Sequence, residues 1–412
     1  MRYTLTPSSP FPQHLRIVLP SSKSISNRAL ILRALACGTA PIANLSDCDD
    51  TRVMTSGLGS GDSGTVDIMG AGTSMRFLTA YFSATPGTHT LTGSARMQQR
   101  PIGTLVDALR QLGADIAYAG REGYPPLCIR GRQLAGGRLT MKGDVSSQFI
   151  SALLMVAPAM RQGLTLTLTG NVTSRPYIDL TLEMMRRQGI AAQWHGADTL
   201  QVAAGRYRDT PLTIESDWSA ASYWYEVAAL SPQPLTIELP GLHADSLQGD
   251  SRGAQLFARL GIATHHTPQG VRLTRHATAV ERLDEGFADI PDLVQTFAVT
   301  CCLLGIPFRF GGVQTLRIKE TDRISALVDE LRKTGFLLTA EGDHTLAWDG
   351  RRCAPLPSPV IETYDDHRMA LAFAPAALRL PGIGIDRPEV VSKSYPRFWD
   401  DIQTVIHYER EQ

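Results

Sequence analysis

The chain has 412 residues, with 40 Lys+Arg against 40 Asp+Glu, so its formal net charge is zero. That balance argues against a nucleic-acid coat protein, and a hydrophobic content of 43% argues against disorder. No run reaches 18 apolar residues, which argues against a membrane-spanning helix, and at roughly 100–200 residues per domain the length predicts two to four domains. The opening residues, MRYTLTPSSPFPQ, lack the apolar stretch of a signal peptide. Six cysteines without CxxC spacing read as reduced thiols of a cytosolic protein, with neither a zinc site nor a disulfide frame.

Taken in chain order, one kind of helix recurs six times. Alanine-rich segments, apolar all round, begin at Ser22, Gly72, Val145, Asp217, Ile290 and Asp365, at intervals of 50, 73, 72, 73 and 75 residues. Helices apolar on every side belong in a core. A second kind is amphipathic and closes on glycine, at Gly113, Gly189, Gly261 and Gly335. Its 3.6-residue period and terminal glycine predict a helix with a left-handed cap. Alternating strands such as LTLTLTG and LTIELPG precede these helices, and ADIAYAG follows one. The pattern predicts an α/β (α+β repeat) fold of six units of about 70 residues, three to each of two domains. The first unit is about 20 residues short, and its Gly/Ser-rich stretch 56–67 is expected as a loop or trimmed hairpin. The cleft between the domains is the default site.

Charge placement carries the functional signal. A helix start favours acids, yet Lys23 and Arg28 open the first buried helix and Arg76 lies in the second. Arg100 precedes Pro101, Lys319 and Arg323 flank another start, Arg368 opens another, and Lys393 precedes the last. Cations repeated at helix starts predict anionic ligands, which free N–H groups and guanidinium forks bind together. Ser22, Ser24, Ser26, Ser146, Ser147, Gln148 and Ser174 accompany them, and N-capping is the alternative role for each serine. GAGTS at 70–74 permits close backbone approach, as would a plain tight turn. Among the acids, Asp217, Asp292, Glu320, Asp365 and Asp366, Asp292 reads as a cap or an active group. Glu320 reads as a solvated first-turn charge or a general acid/base held beside cations. The remaining acids are expected to lie largely away from the clustered cations. His367 is flanked by Asp366 and Arg368, and Cys301-Cys302 reads as core. No His/Cys/Asp cluster has metal spacing, no GxSxG elbow occurs, and tryptophans do not interleave with basic clusters. The residues together predict transfer chemistry on two polyanionic small molecules.

Ten motifs in order then identify a resemblance. They are PSSKSISNRAL (20–30), GAGTSMR (70–76), RMQQRPIG (96–103), DVSSQF (144–149), SRPYID (174–179), LQGD (247–250), IPD (290–292), RIKETDR (317–323), YDDHRMA (364–370) and SKSYPRF (392–398). Essentially end to end, the chain resembles the 5-enolpyruvylshikimate-3-phosphate synthase family of enolpyruvyl transferases. The resemblance implies two domains, each of three βαβαββ units, over 19–216 and over 1–18 plus 217–412, with the active site in the interdomain cleft. It implies transfer of the enolpyruvyl group of phosphoenolpyruvate to the 5-hydroxyl of shikimate 3-phosphate, on the route to chorismate and aromatic amino acids. It further implies a cytoplasmic monomer with no metal, no cofactor, and no nucleic-acid or membrane partner.

By motif position, the resemblance implies that Glu320 moves the carbon proton, Asp292 meets the attacking hydroxyl and Lys23 bridges both substrates. Shikimate 3-phosphate would be held by Lys23, Ser24, Arg28, Ser146, Ser147, Gln148, Ser174, Tyr177, Asp292, Thr315 and Lys319. Phosphoenolpyruvate would meet Lys23, Gly72, Arg100, Gln148, Arg323, Arg368 and Lys393, with His367 close by. Gly72 implies that glyphosate could enter the same subsite. Ser21, Phe77 and Thr315 depart from the family's usual Gly, Pro and Asn. Two rivals are a UDP-N-acetylglucosamine enolpyruvyl transferase and a catalytically dead binding homologue. Against the first, Ser24 rather than Asn follows Lys23, and RMQQRPI has no cysteine; against the second, Lys23, Asp292 and Glu320 are all present.

Overall fold

A computed structural model describes residues 1–411. The chain packs as two compact units, Ser21–Ile214 and a discontinuous one made of Met1–Pro20 with the residues from Glu215 onward. Twelve α-helices are present among the described residues. In the continuous unit they are α1 (Lys23–Leu35), α2 (Asp49–Leu58), α3 (Gly72–Ala84), α4 (Gly103–Gln111), α5 (Ser147–Val156) and α6 (Arg175–Arg187). The discontinuous unit holds α7 (Trp218–Leu230), α8 (Gly253–Arg259), α9 (Val294–Leu304), α10 (Arg323–Lys333), α11 (His367–Phe373) and α12 (Phe398–Ile402). None is long and apolar enough to cross a membrane.

Each full repeat runs strand, buried helix, parallel strand, amphipathic helix, antiparallel hairpin. In one, strand Gly137–Lys142 leads into α5, then Leu164–Thr169 pairs with it in parallel before α6. The hairpin Ala192–His195/Thr199–Val202 then completes a four-stranded sheet. The parallel pair needs a crossover, which the buried helix supplies. The predicted alternation of LTLTLT appears as three buried leucines on one face, Leu164, Leu166 and Leu168.

The first repeat departs from this plan. Strand Leu212–Thr213, from the far end of the unit, pairs in parallel with Ile42–Ala43, and this sheet has only two strands. What is missing is the hairpin after α2. The stretch 56–67, expected as a loop or trimmed hairpin, is corrected here: 56–58 finish α2, and Ser63–Asp67 is the first strand of the next repeat, parallel to Gly87–Thr92. In the last repeat the chain termini supply the missing pair. Arg2–Pro7 lies between Ile383–Asp386 and Ile406–Glu411, antiparallel to both.

Helix polarity follows the sequence. Every residue of α11 is buried, as is all of α7 except Ser219 and all of α5 except Gln148. Both exceptions fall in first turns, so in α5 and α7 the helix start reaches out of the core while the helix body fills it. Helix α9 packs on both α7 and α11, and α5 on both α3 and α6. In the discontinuous core the Phe297 ring meets Phe257 and Phe287 at 4.4 and 5.5 Å between centroids. Each fully buried ring of this kind contributes about 1.5–3 kcal/mol. The four predicted glycine stops all take positive φ, 104° at Gly113, 85° at Gly189, 92° at Gly261 and 98° at Gly335, a conformation that costs other residues a Cβ clash.

Candidate active site

In the continuous unit the predicted residues gather at the starts of α1, α3, α5 and α6. Ser22 caps α1 by accepting from the Ile25 N–H at 3.4 Å. That leaves Lys23, the first helical residue, to reach Asp50 of α2 at 3.1 Å. Arg28, one turn further, is buried. Its Nε donates to Thr181 Oγ1 (2.7 Å), one Nη to the Ser24 carbonyl (2.9 Å), and the other to Ser151 Oγ and the Tyr177 carbonyl (both 3.2 Å). All these partners are neutral, and burial pushes the guanidinium down to about 10 against a smaller upward pull from Tyr177. It therefore stays charged at neutral pH and retains one N–H beyond those four bonds.

Helix α3 begins without a side-chain cap, so its first-turn N–H groups are open to an acceptor. Gln148 of α5 reaches this start, its Nε2 donating to Thr73 Oγ1 at 3.0 Å. Arg100 lies against Gly72 so closely that an added Cβ would sit 2.7 Å from its Nη1. Arg76 is committed elsewhere, to the Gly72 and Pro101 carbonyls, both at 3.2 Å. The capping alternative holds for Ser146, which accepts from the Gln148 N–H at 3.4 Å. It fails for Ser174, which takes a left-handed conformation (φ 54°) and makes no side-chain cap bond.

In the discontinuous unit six predicted residues form one linked ion-pair chain. Asp292 contacts Arg323 at 3.0 Å, Arg368 at 2.8 Å and Lys319 at 3.8 Å. Glu320 contacts Arg323 at 3.0 Å and Lys393 at 3.3 Å. Arg323 is 1% exposed and also makes a bidentate bond to the buried Asp366, at 2.6 and 3.2 Å. Burial works against the Arg323 charge, but Asp366, Glu320 and Asp292 outweigh it and hold its pKa above the ordinary arginine value. Asp366 doubles as the cap of α11, accepting from the Arg368 N–H at 3.0 Å. His367 is buried with Nδ1 3.5 Å from Asp366. Thr315 lies in the 3-10 turn Gln314–Ile318, and Lys393 ends another, Pro388–Lys393.

One of the two alternatives for Glu320 is removed. Glu320 is not in a solvated first turn: α10 starts only at Arg323, Asp322 is its cap, and the Glu320 side chain is 14% exposed. Asp292, Glu320 and Asp366 do stand among the cations, as their interleaving with the bases in sequence suggests. The segregation is between units. Ser21–Ile214 has 19 Lys+Arg against 13 Asp+Glu, and the rest of the chain has 21 against 27.

Sequence reasoning missed Asp50, Tyr223 and Asp250. Tyr223 accepts from Arg368 Nη1 at 3.2 Å, and burial pushes its hydroxyl up to about 12. Asp250 accepts from the Ser219 hydroxyl. Burial, reinforced by the charge of Asp292, pushes its carboxyl up to about 6, against Arg368 and the Ser219 bond. The LQGD motif held a signal for Asp250; Asp50 lies in none of the ten motifs.

Helix starts bearing guanidinium and ammonium groups, with carboxylates set among them, define a class: enzymes that bind small anions and move protons beside them. The family model for EPSP synthase (3-phosphoshikimate 1-carboxyvinyltransferase) matches residues 9–60 and 60–402, and the chain belongs to that family. A Bacteroides fragilis 3-phosphoshikimate 1-carboxyvinyltransferase is 59% identical over 403 residues, covering 98% of this chain and 97% of that relative. Another, from Paraburkholderia phytofirmans, is 37% identical over 415 residues, covering 93% and 95%. In fold, the chain is similar to the solved EPSP synthase of Acinetobacter baumannii, with TM-score 0.76 at 21% identity over 99% of this chain and all of that one.

Proposed function

We propose that this enzyme transfers the enolpyruvyl group of phosphoenolpyruvate to the 5-hydroxyl of shikimate 3-phosphate and releases inorganic phosphate. The observation that carries the reading is Glu320, a carboxylate held between Arg323 and Lys393 within one ion-pair chain with Asp292. A proton adds to the methylene carbon of phosphoenolpyruvate, which makes the neighbouring carbon electrophilic. The sugar hydroxyl attacks there and gives its proton to Asp292. The methyl group of the tetrahedral adduct then loses a proton, the carbon–oxygen bond to phosphate breaks, and the double bond returns. Glu320 carries the carbon proton in both directions, work worth about 10²–10⁴-fold in rate.

Lys23 bridges the two substrates and stabilises the departing phosphate. Ser24, Arg28, Ser146, Ser147, Gln148, Ser174, Tyr177, Thr315 and Lys319 hold the sugar phosphate. Arg100, Gln148, Arg323, Arg368 and Lys393 hold phosphoenolpyruvate against Gly72. Charge-assisted forks of this kind suit phosphate and carboxylate groups. The enzyme works as a cytoplasmic monomer, and residues of both units take part.

The test is phosphate release with purified protein. Release is expected only when both substrates are present. Release that persists without shikimate 3-phosphate, or that UDP-N-acetylglucosamine supports instead, would sink the reading. The phosphoenolpyruvate subsite has its own test in Gly72→Ala. The added methyl displaces the Arg100 guanidinium, the far end of a flexible side chain, so the fold is retained while the clamp moves. KM for phosphoenolpyruvate is expected to rise about tenfold, equivalent to about 1.4 kcal/mol, with KM for the sugar phosphate little changed. Unaltered KM values for both substrates would show that Arg100 does not grip phosphoenolpyruvate.

A further inference from the structure

We propose that the buried Glu330 carboxylate and the Tyr364 hydroxyl it binds form a positioning pair that sets Asp366 and Arg368 at the start of α11. Glu330 lies near the far end of α10, two turns from Arg323, and is fully buried. Its carboxylate accepts from Tyr364 Oη at 2.7 Å, from the Glu362 backbone N–H at 3.1 Å and from Lys333 Nζ at 2.9 and 2.6 Å. Lys333 in turn donates to the Val360 carbonyl at 3.1 Å. One helix therefore grips the segment 360–366 at both ends: Arg323 holds Asp366, and Glu330 with Lys333 holds residues 360–364.

Between those grips the backbone is strained. Tyr364 and Asp365 are both left-handed, at φ 54° and 55°. An aspartate tolerates this region, whereas a bulky tyrosine is there only if its surroundings impose it. The Glu330 bond supplies that imposition on one side. On the other, Arg387 binds Asp365 at 2.5 Å and reaches Glu362 at 3.5 Å. Arg387 also heads the turn Pro388–Lys393 that delivers Lys393. The reversed turn directs Asp366 inward to cap α11 and orients Arg368 toward Asp292 and Tyr223. Glu330 and Tyr364 thus act on the anion clamp through Asp366 and Arg368, without touching the reacting groups.

This inference rests on the function proposed above, because Arg368 is taken to bind phosphoenolpyruvate. Tyr364→Phe removes a single hydroxyl and is the decisive variant. KM for phosphoenolpyruvate is expected to rise about tenfold while KM for shikimate 3-phosphate stays within about twofold and the melting temperature stays within a few degrees. A merely structural role would lower the melting temperature and leave both KM values alone. An unchanged KM for phosphoenolpyruvate, or an equal rise in both, overturns the pair while leaving the wild-type function standing. A wild-type enzyme that releases no phosphate from the two substrates overturns both. If Tyr364→Phe does not fold, Glu330→Gln is read by the same criteria, and a crystal structure of either variant with Arg368 in its present place also overturns the proposal.

Discussion

Glu320→Gln is expected to lower turnover by about 10²–10⁴-fold, the range a positioned acid/base contributes, while shikimate 3-phosphate still binds. The amide has the shape of the carboxyl group and its oxygen can still accept from Arg323 Nη2, now 3.0 Å away. What it cannot do is carry a proton. It also leaves the Lys393 ammonium without the carboxylate charge 3.3 Å from it, so phosphoenolpyruvate binding should change little or tighten slightly. The measurement pairs steady-state kcat with a direct binding titration of the sugar phosphate. Turnover near that of the wild type would remove Glu320 from proton transfer. Equal losses in turnover and sugar-phosphate binding would assign it to substrate placement instead.

Arg323→Met should be the most damaging single change to the fold. The guanidinium is 1% exposed and serves Asp292, Glu320 and Asp366 at once, and the Asp366 side chain is fully buried. Removing one partner of a buried ion pair leaves an uncompensated charge and costs about 3–5 kcal/mol. Arg323→Lys keeps the charge but loses the fork that engages Asp366 bidentately, so it should fall between. The double variant Arg323→Met/Asp366→Asn removes the stranded charge. It should recover part of the stability and none of the activity. Denaturant unfolding of the three proteins measures this. A double variant no more stable than Arg323→Met would show that the loss does not come from the stranded Asp366.

The repeat was readable because two physical signals coincide in it. Leu105, Val106 and Leu109 place a 3.6-period face on α4, and Gly113 stops it in a conformation other residues avoid. The buried helices were legible instead from their unbroken apolar runs, and the two helices with neither a glycine stop at positive φ nor such a run were not seen. Helix α2 is followed by Gly59 in an ordinary negative-φ conformation, and α12 is only five residues long. Lys23, Arg323 and Arg368 stood out because a cation at a helix start opposes the backbone dipole. Their partners carried no such mark. Asp50 sits 27 positions from Lys23, Asp250 is a lone acid 31 positions from Ser219, and only folding makes them neighbours. The serines divide for a reason invisible in one dimension. Ser22 and Ser146 accept capping bonds, whereas Ser174 is left-handed and makes none.

The strand Arg2–Pro7 joins the first residues of the chain to nearly the last, hydrogen-bonding Ile383–Asp386 on one side and Ile406–Glu411 on the other. During synthesis it therefore has no partner in its sheet until residues 383–386 have been made. Ser21–Ile214, by contrast, is a compact unit of continuous sequence, all of which is made before either partner of that strand. At about 5–20 residues per second, the early strand waits tens of seconds as an unpaired edge. The strand Ile406–Glu411 then closes a loop of about 400 residues, a step whose entropy cost grows only logarithmically with loop length. Birth order and assembly order thus run opposite ways for this segment: the strand made first is the last of its sheet to be paired on both sides.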